Sequence, residues 1–398
     1  MPWTASQSVG EQRAEFFRRL REEGVPLARL CREYGISRKV AYKWKSRFDK
    51  GESLMDRSRR PKTSPGATPE SVVSEIVKLR EKHKFLGGRK ISLILRRRGL
   101  DHVPSGNTVT AILRNRDLLD KVAVKEARHW LRFRKDDANE MWQADFKGHF
   151  PLGDGRRCHT LNVVDDYSRY CICCEPLLGE TTELVKPVFV SAFRENGLPF
   201  SLLCDNGNPW GGARDGRGIS AFETWLMELG VLTIHGQARH PQTQGKEERF
   251  NKSFTREALR YGDISNQESA KRSFDAFRRV YNEERPHCAI NDRVPADLYH
   301  PSMTVYPESV EDWDYQEDAI VRTVSVIGQI SVQGKIAYLG SGMAGKRVAL
   351  LPAKRDGIFN VVFRQFLVAK YDQRENKMLF VRSYLLENDP RPTFPGLD

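Results

Sequence analysis

Three acidic residues that lie far apart in the chain have the types and settings of a metal site: Asp145, Asp205 and Glu248. Asp145 falls within a predicted strand, Asp205 directly follows another predicted strand, and Glu248 lies in a predicted helix. Catalytic groups in open α/β sheets gather at strand ends, where a crossing helix can add a third group. We therefore expect these carboxylates to converge as hard oxygen ligands for two Mg²⁺ or Mn²⁺ ions, with Asp145 as the bridge.

Glu248 belongs to the segment HPQTQGKEERFN (240–251), which runs from turn-forming residues into a helix. Lys252 and Arg256 follow Glu248 by four and eight residues, so an acid and two cations share one face of that helix. Such a face could hold a metal and a phosphate together. The alternative interpretation is a solvent-exposed helix with an ordinary salt bridge. The buried face is marked by two aromatic residues, Phe250 and Phe254.

Other potential metal ligands have weaker support in the sequence. Asp165 and Asp166 end a predicted strand just before a turn, where acids commonly accept local hydrogen bonds, so a metal role is the lesser interpretation. A zinc site would have to use Cys158, His159, Cys171 and Cys173. No second Cys-x-x-Cys pair supports it, and the seven cysteines are better explained as reduced, buried thiols.

The basic excess of the chain is concentrated in its first third. The 398 residues carry 65 Lys+Arg against 52 Asp+Glu, a net charge of +13. Residues 1–140 hold 33 basic and 18 acidic residues (+15), whereas residues 141–398 hold 32 and 34 (−2). We therefore expect the first third to bind an anionic polymer. No run of eighteen apolar residues occurs and the first residues contain no apolar signal core, which predicts a soluble intracellular protein.

The basic first third begins with a predicted helix-turn-helix domain at residues 1–53. Helices are expected over 11–23, 27–34 and 38–50, with Gly35 in the turn and Ser37 capping the third helix. The outward face of the third helix would enter the major groove of DNA with Arg38, Lys39, Tyr42, Lys43 and Arg47. A three-helix bundle that does not bind DNA is the alternative.

Residues 54–68 contain too many Ser, Pro and Gly residues to pack, which predicts a linker. Arg59, Arg60 and Lys62 would lie along a phosphate backbone or in a minor groove, although a simply solvated linker is equally compatible with them. Residues 69–120 predict a second helix-turn-helix-like domain, whose middle helix ends in the run RRR (96–98).

The pattern changes from helical to extended at Met141. The segments WQADF, CHTLNVVDD and YCICCEPL predict a meander of strands, followed by alternating helices and strands that end at 231–235. This order is typical of a mixed α/β sheet covered on both faces. After an acidic connector, residues 319–386 predict short strands separated by glycines, as in a small SH3-like β-barrel.

Five motifs in sequence carry a family resemblance: WQADF, LNVVDDYSRY, CDNGNPW, HPQTQGKEERFN and YNEERPHCAINDRVPADLY. Together they resemble the integrase-type catalytic core of bacterial insertion-sequence DDE transposases, a core shared with retroviral integrases. The segments GVPLARLCREYGISRKVAYKWKSRF and DRSRRP resemble the helix-turn-helix and basic linker that precede such cores. The resemblance implies a ribonuclease H-like domain over residues 130–300, and a β domain that trails the core.

The resemblance makes Asp145, Asp205 and Glu248 the D-D-E metal ligands. Glu247 is the competing acid, but the acid of the family directly precedes the arginine, here Arg249. The expected reaction is metal-dependent cleavage of transposon ends and transfer of the 3′-OH strand to target DNA, with Mg²⁺ or Mn²⁺ as cofactor.

The partners implied are double-stranded DNA and further copies of the chain assembled on it, in the cytoplasm with the nucleoid. The DNA contacts implied near the core are Asn206, Lys252 and Arg256. A longer, glycine-rich loop at 209–218 departs from the shortest family members. The further candidate contacts within it are Trp210, Arg214 and Arg217, and a disordered insertion is the alternative. Two other functions stay open: a DNA-binding regulator derived from a transposase, and a ribonuclease H-like nuclease that acts on RNA hybrids.

Overall fold

The computed structural model describes residues 9–56, 66–119, 135–211, 218–235, 241–317 and 319–385. The chain divides into two compact units, Met1–Ala67 and Thr68–Asp398. Arg59, Arg60 and Lys62 of the predicted linker, and Arg214 and Arg217 of the glycine-rich loop, lie outside the described residues. Within the described part of the chain, no helix is both long and apolar enough to cross a membrane.

The first unit is a three-helix bundle formed by α1 (Val9–Arg21), α2 (Leu27–Glu33) and α3 (Arg38–Asp49). Gly35 adopts a left-handed φ of 62° between α2 and α3, which a residue with a side chain seldom tolerates. The Ser37 side chain then accepts a hydrogen bond from Val40 N and caps α3. The core of the bundle consists of Phe16, Phe17, Leu30, Ala41 and Trp44. The predicted helices are therefore present, with the expected turn.

The second unit begins with three more helices, α4 (Glu70–Lys82), α5 (Gly88–Arg97) and α6 (Gly106–Asn115). Helices α5 and α6 cross so closely that a Cβ on Gly106 would lie 2.7 Å from the Cα of Arg89. Glycine at this crossing is therefore a packing requirement. The helices enclose their own apolar cluster, which includes Ile76, Ile91, Leu95, Val109 and Leu113.

A five-stranded mixed sheet forms the centre of the second unit. Its strands are β1 (Met141–Pro151), β2 (Arg157–Asp165), β3 (Cys171–Leu177), β4 (Ser201–Cys204) and β5 (Leu232–His235). The order across the sheet is β3-β2-β1-β4-β5. The first three strands form the predicted antiparallel meander, and β4 and β5 add to β1 in parallel. This is the strand arrangement of the ribonuclease H-like core implied by the motifs.

Helices cover both faces of this sheet, as predicted. On one face α7 (Thr182–Asn196) and α8 (Ala221–Glu228) pack with the strands around a core that contains Trp142, Phe189, Phe193, Trp210 and Phe222. On the other face α9 (Pro241–Phe254) and α10 (Gln267–Arg279) bury Phe250, Phe254, Phe274 and Phe277 against Cys158, Cys171 and Cys174. The aromatic face expected for α9 is therefore the buried one.

The C-terminal strands form an open sheet. They are β6 (Ile320–Thr323), β7 (Gln329–Val332), β8 (Lys335–Tyr338), β9 (Arg347–Pro352), β10 (Ile358–Phe363), β11 (Phe366–Asp372) and β12 (Lys377–Leu385). The larger sheet has the order β12-β11-β10-β9-β6, and β7 and β8 form a second, two-stranded sheet.

The predicted short strands are therefore present, but the prediction of a closed barrel was wrong. No pairing of described strands joins β6 to β12, the two edges of the larger sheet. The apolar residues of these sheets pack in one cluster with Ile219, Met227 and Leu232 of the core. The sheet can stay open because apolar surface that a closed barrel would bury within itself is covered here by the core domain.

Candidate active site

Asp145 and Asp205 occupy equivalent positions on neighbouring parallel strands. The register pairs Met141 with Ser201 and Gln143 with Leu203, so each acid follows the last paired residue of its strand by two positions. Residues two apart in a strand point to the same face of the sheet, and adjacent strands lie about 5 Å apart. The two carboxylates are close enough for the charge of Asp205 to act on that of Asp145.

Asp145 is half-buried, and its Oδ2 accepts a hydrogen bond of 2.7 Å from the side-chain amide of Asn251. Burial raises the pKa of Asp145, the Asn251 hydrogen bond opposes that rise, and the Asp205 charge adds to it, so the pKa reaches about 6. The fold therefore holds an acid within β1 whose charge is poorly compensated. A divalent cation would supply the missing compensation.

Asp205 is exposed, and both its side chain and its backbone carbonyl have hydrogen-bond partners. Its Oδ1 accepts a hydrogen bond of 2.8 Å from Gly207 N. Its backbone carbonyl lies 2.9 Å from Nδ1 of His235, the last residue of β5. The other ring nitrogen of His235 lies 2.6 Å from the Glu223 carboxylate. Burial lowers the pKa of His235, but hydrogen bonds to Cys204 and Glu223 outweigh that effect and raise it to about 11. Both ring nitrogens of His235 therefore face oxygen acceptors.

Glu248 lies on α9 and lines the same surface cavity as the three residues that follow Asp145. This cavity has a volume of about 580 Å³. Its lining consists of Phe146, Lys147, Gly148, Glu248, Asn251, Lys252, Thr255 and Arg256. The Glu248 side chain is 67% exposed and pairs with Lys252 at 2.6 Å, as the alternative interpretation of this helix anticipated. No group of three or more His, Cys, Asp or Glu side chains close enough to hold a metal occurs in the described residues.

Asn251 connects the helix of Glu248 to Asp145 and was not assigned a role from the sequence. It follows Glu248 by three residues, so both side chains lie on one face of α9. Asn251 donates to Asp145 through Nδ2, and its Oδ1 accepts a hydrogen bond of 2.8 Å from Asn162 on β2. Asn162 is directly opposite Asp145 in the β1–β2 register. The spacing of three from Glu248 was the available sequence signal.

The pair Asp165 and Asp166 has the structural role that its position before a turn indicated. Asp165 is fully buried and accepts hydrogen bonds from Asn139 N, Ser168 N and Ser168 Oγ. Asp166 accepts hydrogen bonds from Lys135 N, Gln143 Nε2 and Lys246 Nζ. Because Lys246 lies on α9, the Asp166–Lys246 ion pair of 2.5 Å fixes the start of that helix against the sheet.

The four residues that a zinc site would have to use do not form a metal cluster among the described side chains. Cys158, Cys171 and Cys173 are buried free thiols. His159 instead pairs with Glu180 at 2.8 Å. The interpretation of the cysteines as reduced core residues agrees with this placement.

The basic residues predicted on α3 lie on its outer face. Arg38, Lys39, Tyr42 and Lys43 are exposed, and Tyr42 is 60% exposed. Arg47 is half-buried, with its guanidinium 4.6 Å from the centre of the Trp44 ring. This face combines cations with an exposed aromatic ring.

Other candidate contacts lie in different settings. Lys252 and Arg256 line the cavity of Glu248, and Asn206 follows Asp205 in its turn. Trp210, which we considered for a DNA contact, is only 1% exposed because it packs against Phe146 and Phe222 in the core. The prediction for Trp210 was therefore wrong.

The arginines that end α5 are ion-paired within the second unit. Arg97 pairs with Asp297 at 2.5 Å, and Arg98 pairs with Glu284 at 3.0 Å. Arg89, at the start of the same helix, pairs with Asp292 at 2.5 Å. The basic side of α5 is therefore directed at the segment that follows α10. The sequence shows the basic run, but it gives no sign of the acidic partners, which lie about 200 residues away in the chain.

The donor set of the site fits a divalent cation. Carboxylate oxygens are the ligands that Mg²⁺ and Mn²⁺ prefer, and the carboxylates of Asp145 and Asp205 occupy equivalent positions of the β1–β4 register, with a mutual repulsion that a cation would relieve. Glu248, on a helix joined to Asp145 through Asn251, is the third candidate. The arrangement is suited to phosphoryl-transfer chemistry, in which oxygen ligands hold metals between a nucleophile and a phosphodiester.

Sequence families match four parts of the chain. Residues 135–241 and 229–295 match integrase core domain families. Residues 319–379 match the C-terminal domain of IS481 family transposases, and residues 19–70 match a winged helix-turn-helix family. The central domain is therefore of the integrase type, preceded by a helix-turn-helix.

Two relatives extend these matches over most of the chain. One is an uncharacterized protein of insertion element IS407 from Burkholderia multivorans, 24% identical, with 68% of this chain and 89% of the relative covered. Another is an uncharacterized protein of insertion element IS476 from Xanthomonas euvesicatoria, 25% identical, with 74% and 79% covered. The resemblance to bacterial insertion-sequence DDE transposases with a retroviral-integrase-type core is thereby confirmed.

Solved structures of viral integrases are also similar to parts of the chain. The catalytic core domain of HTLV-2 integrase in complex with magnesium is 15% identical, covers 41% of this chain and 98% of its own, and has a TM-score of 0.33. The simian T-cell lymphotropic virus intasome in complex with PP2A regulatory subunit B56 gamma is 15% identical, covers 79% and 100%, and has a TM-score of 0.36.

Proposed function

We propose that this protein is a DDE transposase that binds the ends of its insertion sequence and catalyses metal-dependent DNA cleavage and 3′-OH strand transfer. The observation that carries the proposal is the pair Asp145 and Asp205 at equivalent positions of the β1–β4 register in an integrase core domain. The link through Asn251 to the helix of Glu248 supports a third ligand. The protein would act as a polynucleotidyl transferase on chromosomal DNA, in the cytoplasm with the nucleoid.

The three acids would hold Mg²⁺ or Mn²⁺, and we propose two ions per site. Such ions would activate the attacking oxygen and stabilise the leaving oxygen, so a covalent protein intermediate is not required. Glu248 would leave Lys252 to join the site, which costs little because the pair is exposed. Lys252 would then be available for the DNA backbone, and Arg256 and Lys147 in the same cavity would add positive charge for it.

DNA binding would be divided between the helical domains. The domain at residues 1–53 would place α3 in the major groove, with Arg38, Lys39, Tyr42, Lys43 and Arg47 as contacts. The basic linker, residues 54–68, would follow the backbone or a minor groove through Arg59, Arg60 and Lys62. The core at 130–300 would bind the cleavage point, near Asn206, and copies of the chain would assemble on the paired ends.

In the second helical domain, residues 69–120, α6 is the better candidate for base contacts. The arginines of α5 that would otherwise serve are paired with acids of the core. One exposed face of α6 carries Asn107, Thr108, Ala111, Arg114 and Asn115. Asn, Thr and Arg side chains at helical spacing have the hydrogen-bonding groups that read base edges. The domain at 319–386 would trail the core as a compact β module.

Gel-shift titration with DNA from the element ends would test the role of α6. Arg114→Ala is expected to weaken binding by about tenfold, since one lost base contact is worth roughly 1–3 kcal/mol. Arg116→Ala is the matched control because Arg116 is ion-paired with Glu70 at 2.7 Å. Equal effects of the two substitutions would exclude α6 as the reading helix.

The catalytic proposal would be tested with oligonucleotide ends, a target plasmid and Mg²⁺. Wild-type protein is expected to join the 3′ ends to the target, Asp205→Asn to lose joining while it retains end binding, and Asp154→Asn to behave as wild type. Asp154 is a matched acid in a turn, paired with Arg156 at 2.7 Å.

The pairing of Glu248 with Lys252 favours a second candidate, a DNA-binding regulator without catalysis. That function predicts specific end binding with no joining by any variant, and this result in the plasmid assay would end the enzyme proposal. Joining that Asp205→Asn leaves unchanged would exclude the proposed ligand set.

A further inference from the structure

A buried histidine–glutamate pair lies directly behind Asp205. His235 ends β5 and faces Cys204 in the register of β4, one residue before Asp205. Its Nδ1 lies 2.9 Å from the backbone oxygen of Asp205, and its Nε2 lies 2.6 Å from Oε1 of Glu223. The side chains of His235 and Glu223 are only 17% and 9% exposed. Water therefore competes little for these hydrogen bonds, and the imidazole ring is fixed by a partner on each nitrogen.

Glu223 also holds the start of α8. Its second carboxylate oxygen accepts a hydrogen bond of 2.8 Å from Ser220 N, while Ser220 Oγ accepts one of 3.1 Å from Glu223 N. This reciprocal cap satisfies backbone donors that the first turn of a helix leaves unpaired. Ser220 Oγ also donates to the backbone oxygen of Trp210, in the turn that follows Asp205. The first turn of α8 therefore contacts the Asp205 segment by two routes.

The C-terminal domain packs against this same helix start. Gly218 and Gly340 form an antiparallel bridge, and Ile219 N donates to the backbone oxygen of Leu339 at 3.0 Å. Gly342 lies so close that a Cβ there would come within 2.2 Å of Ala221 N.

Contacts farther along the core extend this attachment. Ile219, Met227 and Leu232 are buried in the apolar cluster of the C-terminal sheets. Lys346 pairs with Glu228, the last residue of α8, at 2.5 Å. The C-terminal domain therefore holds α8 at its first turn and at its end.

We infer that His235 and Glu223 are positioning residues for Asp205, and that the C-terminal domain keeps this pair in place by holding the start of α8. The inference rests on the proposed function, since it takes Asp205 to be a metal ligand. It assigns the C-terminal domain a role in forming the metal site of its own chain. A pair that served only the stability of the core would leave metal affinity unchanged wherever the protein stayed folded.

The His235 step is tested on the full chain by calorimetric titration with Mn²⁺, without DNA, alongside the melting temperature. His235→Leu is expected to weaken Mn²⁺ binding by roughly 10- to 100-fold, the range found when a group that orients a metal ligand is removed. His235→Asn keeps an amide donor near the position of Nδ1 and is expected to recover part of the affinity. His159→Leu is the matched control, because it removes a histidine paired with a glutamate at 2.8 Å on the same sheet.

The role of the C-terminal domain is tested by a pair of glycine substitutions. Gly342→Ala places a methyl group against the backbone of Ala221, and it is expected to weaken Mn²⁺ binding while Asp205 and His235 remain intact. Gly334→Ala, in the β7–β8 turn, meets no atom within 4 Å and strains only its own left-handed backbone at φ 82°. Gly334→Ala is expected to lower the melting temperature without a change in Mn²⁺ affinity.

The outcomes separate this inference from the proposed function. Weaker Mn²⁺ binding by His235→Leu and Gly342→Ala, with partial recovery by His235→Asn and none of these effects in the controls, supports it. Wild-type affinity in folded His235→Leu protein overturns it, even if Asp205→Asn abolishes binding and strand joining as proposed. Wild-type protein that binds no Mn²⁺ and joins no DNA overturns the proposed function, and this inference with it.

Discussion

Substitution of Asp145 by asparagine is expected to stabilise the metal-free protein. Burial and the charge of Asp205 raise the pKa of Asp145 from its ordinary 3.8 to about 6, although the hydrogen bond from Asn251 opposes them. Since each pH unit corresponds to about 1.4 kcal/mol, the ionised carboxylate costs the folded state roughly 3 kcal/mol at neutral pH. Asparagine removes the charge and retains an oxygen that can accept the Asn251 hydrogen bond.

The sign of the pH dependence follows from proton binding. Between pH 4 and 6 the folded state holds the Asp145 proton more tightly than the unfolded chain does, so the free energy of unfolding falls as pH rises through this window. The penalty is complete above pH 6 and absent below pH 4. The stabilisation by Asp145→Asn should therefore be largest at pH 8 and vanish near pH 4.

Scanning calorimetry of the full chain with EDTA, at both pH values, measures this difference as a shift in Tm. Asp154→Asn is the control, because Arg156 lowers the pKa of Asp154 and its charge should stabilise the fold. Added Mg²⁺ should raise the Tm of the wild type more than that of Asp145→Asn, since the cation offsets the carboxylate charge. A gain at pH 4 as large as at pH 8, or none at pH 8, would refute the reasoning.

Three further substitutions probe other parts of the molecule. His287→Gln should make the free energy of unfolding depend less steeply on pH in acid. Burial lowers the pKa of His287 to about 3, so the wild type loses stability as pH falls through 6.5, and an unchanged pH dependence from pH 7 to 3 would contradict this. Lys246→Met should lower the free energy of unfolding in urea by about 3 kcal/mol, since it removes the cation paired with buried Asp166. Lys78→Met, which breaks an exposed pair, should lower it by less than about 1 kcal/mol. Similar losses would argue against a stabilising role of the buried pair. Lys43→Ala should lower the slope of log affinity for DNA against log salt by about one, and an unchanged slope would remove Lys43 from the backbone contacts.

Several helices, turns and strands of the fold could be predicted because their signals are local. Gly35 and Ser37 mark the turn and the start of α3 through a left-handed φ and a cap, both of which depend on a few adjacent residues. The alternation of strand and helix predicted the mixed sheet, and the aromatic spacing of Phe250 and Phe254 predicted the buried side of α9. The sequence by itself also placed Asp145 within a strand and Asp205 directly after another.

Contacts between distant segments were decided only by the tertiary structure. The spacing of Trp210 in a glycine-rich stretch favoured an exposed loop, yet the core holds it at 1% exposure. The run of arginines at the end of α5 supported a second helix-turn-helix-like domain, and Arg97 is paired with Asp297 of a distant segment. The role of Asn251 likewise depends on β1 lying beneath α9. A local pattern records which side of a helix or strand is apolar or charged, and it holds no information on which other surface that side will meet.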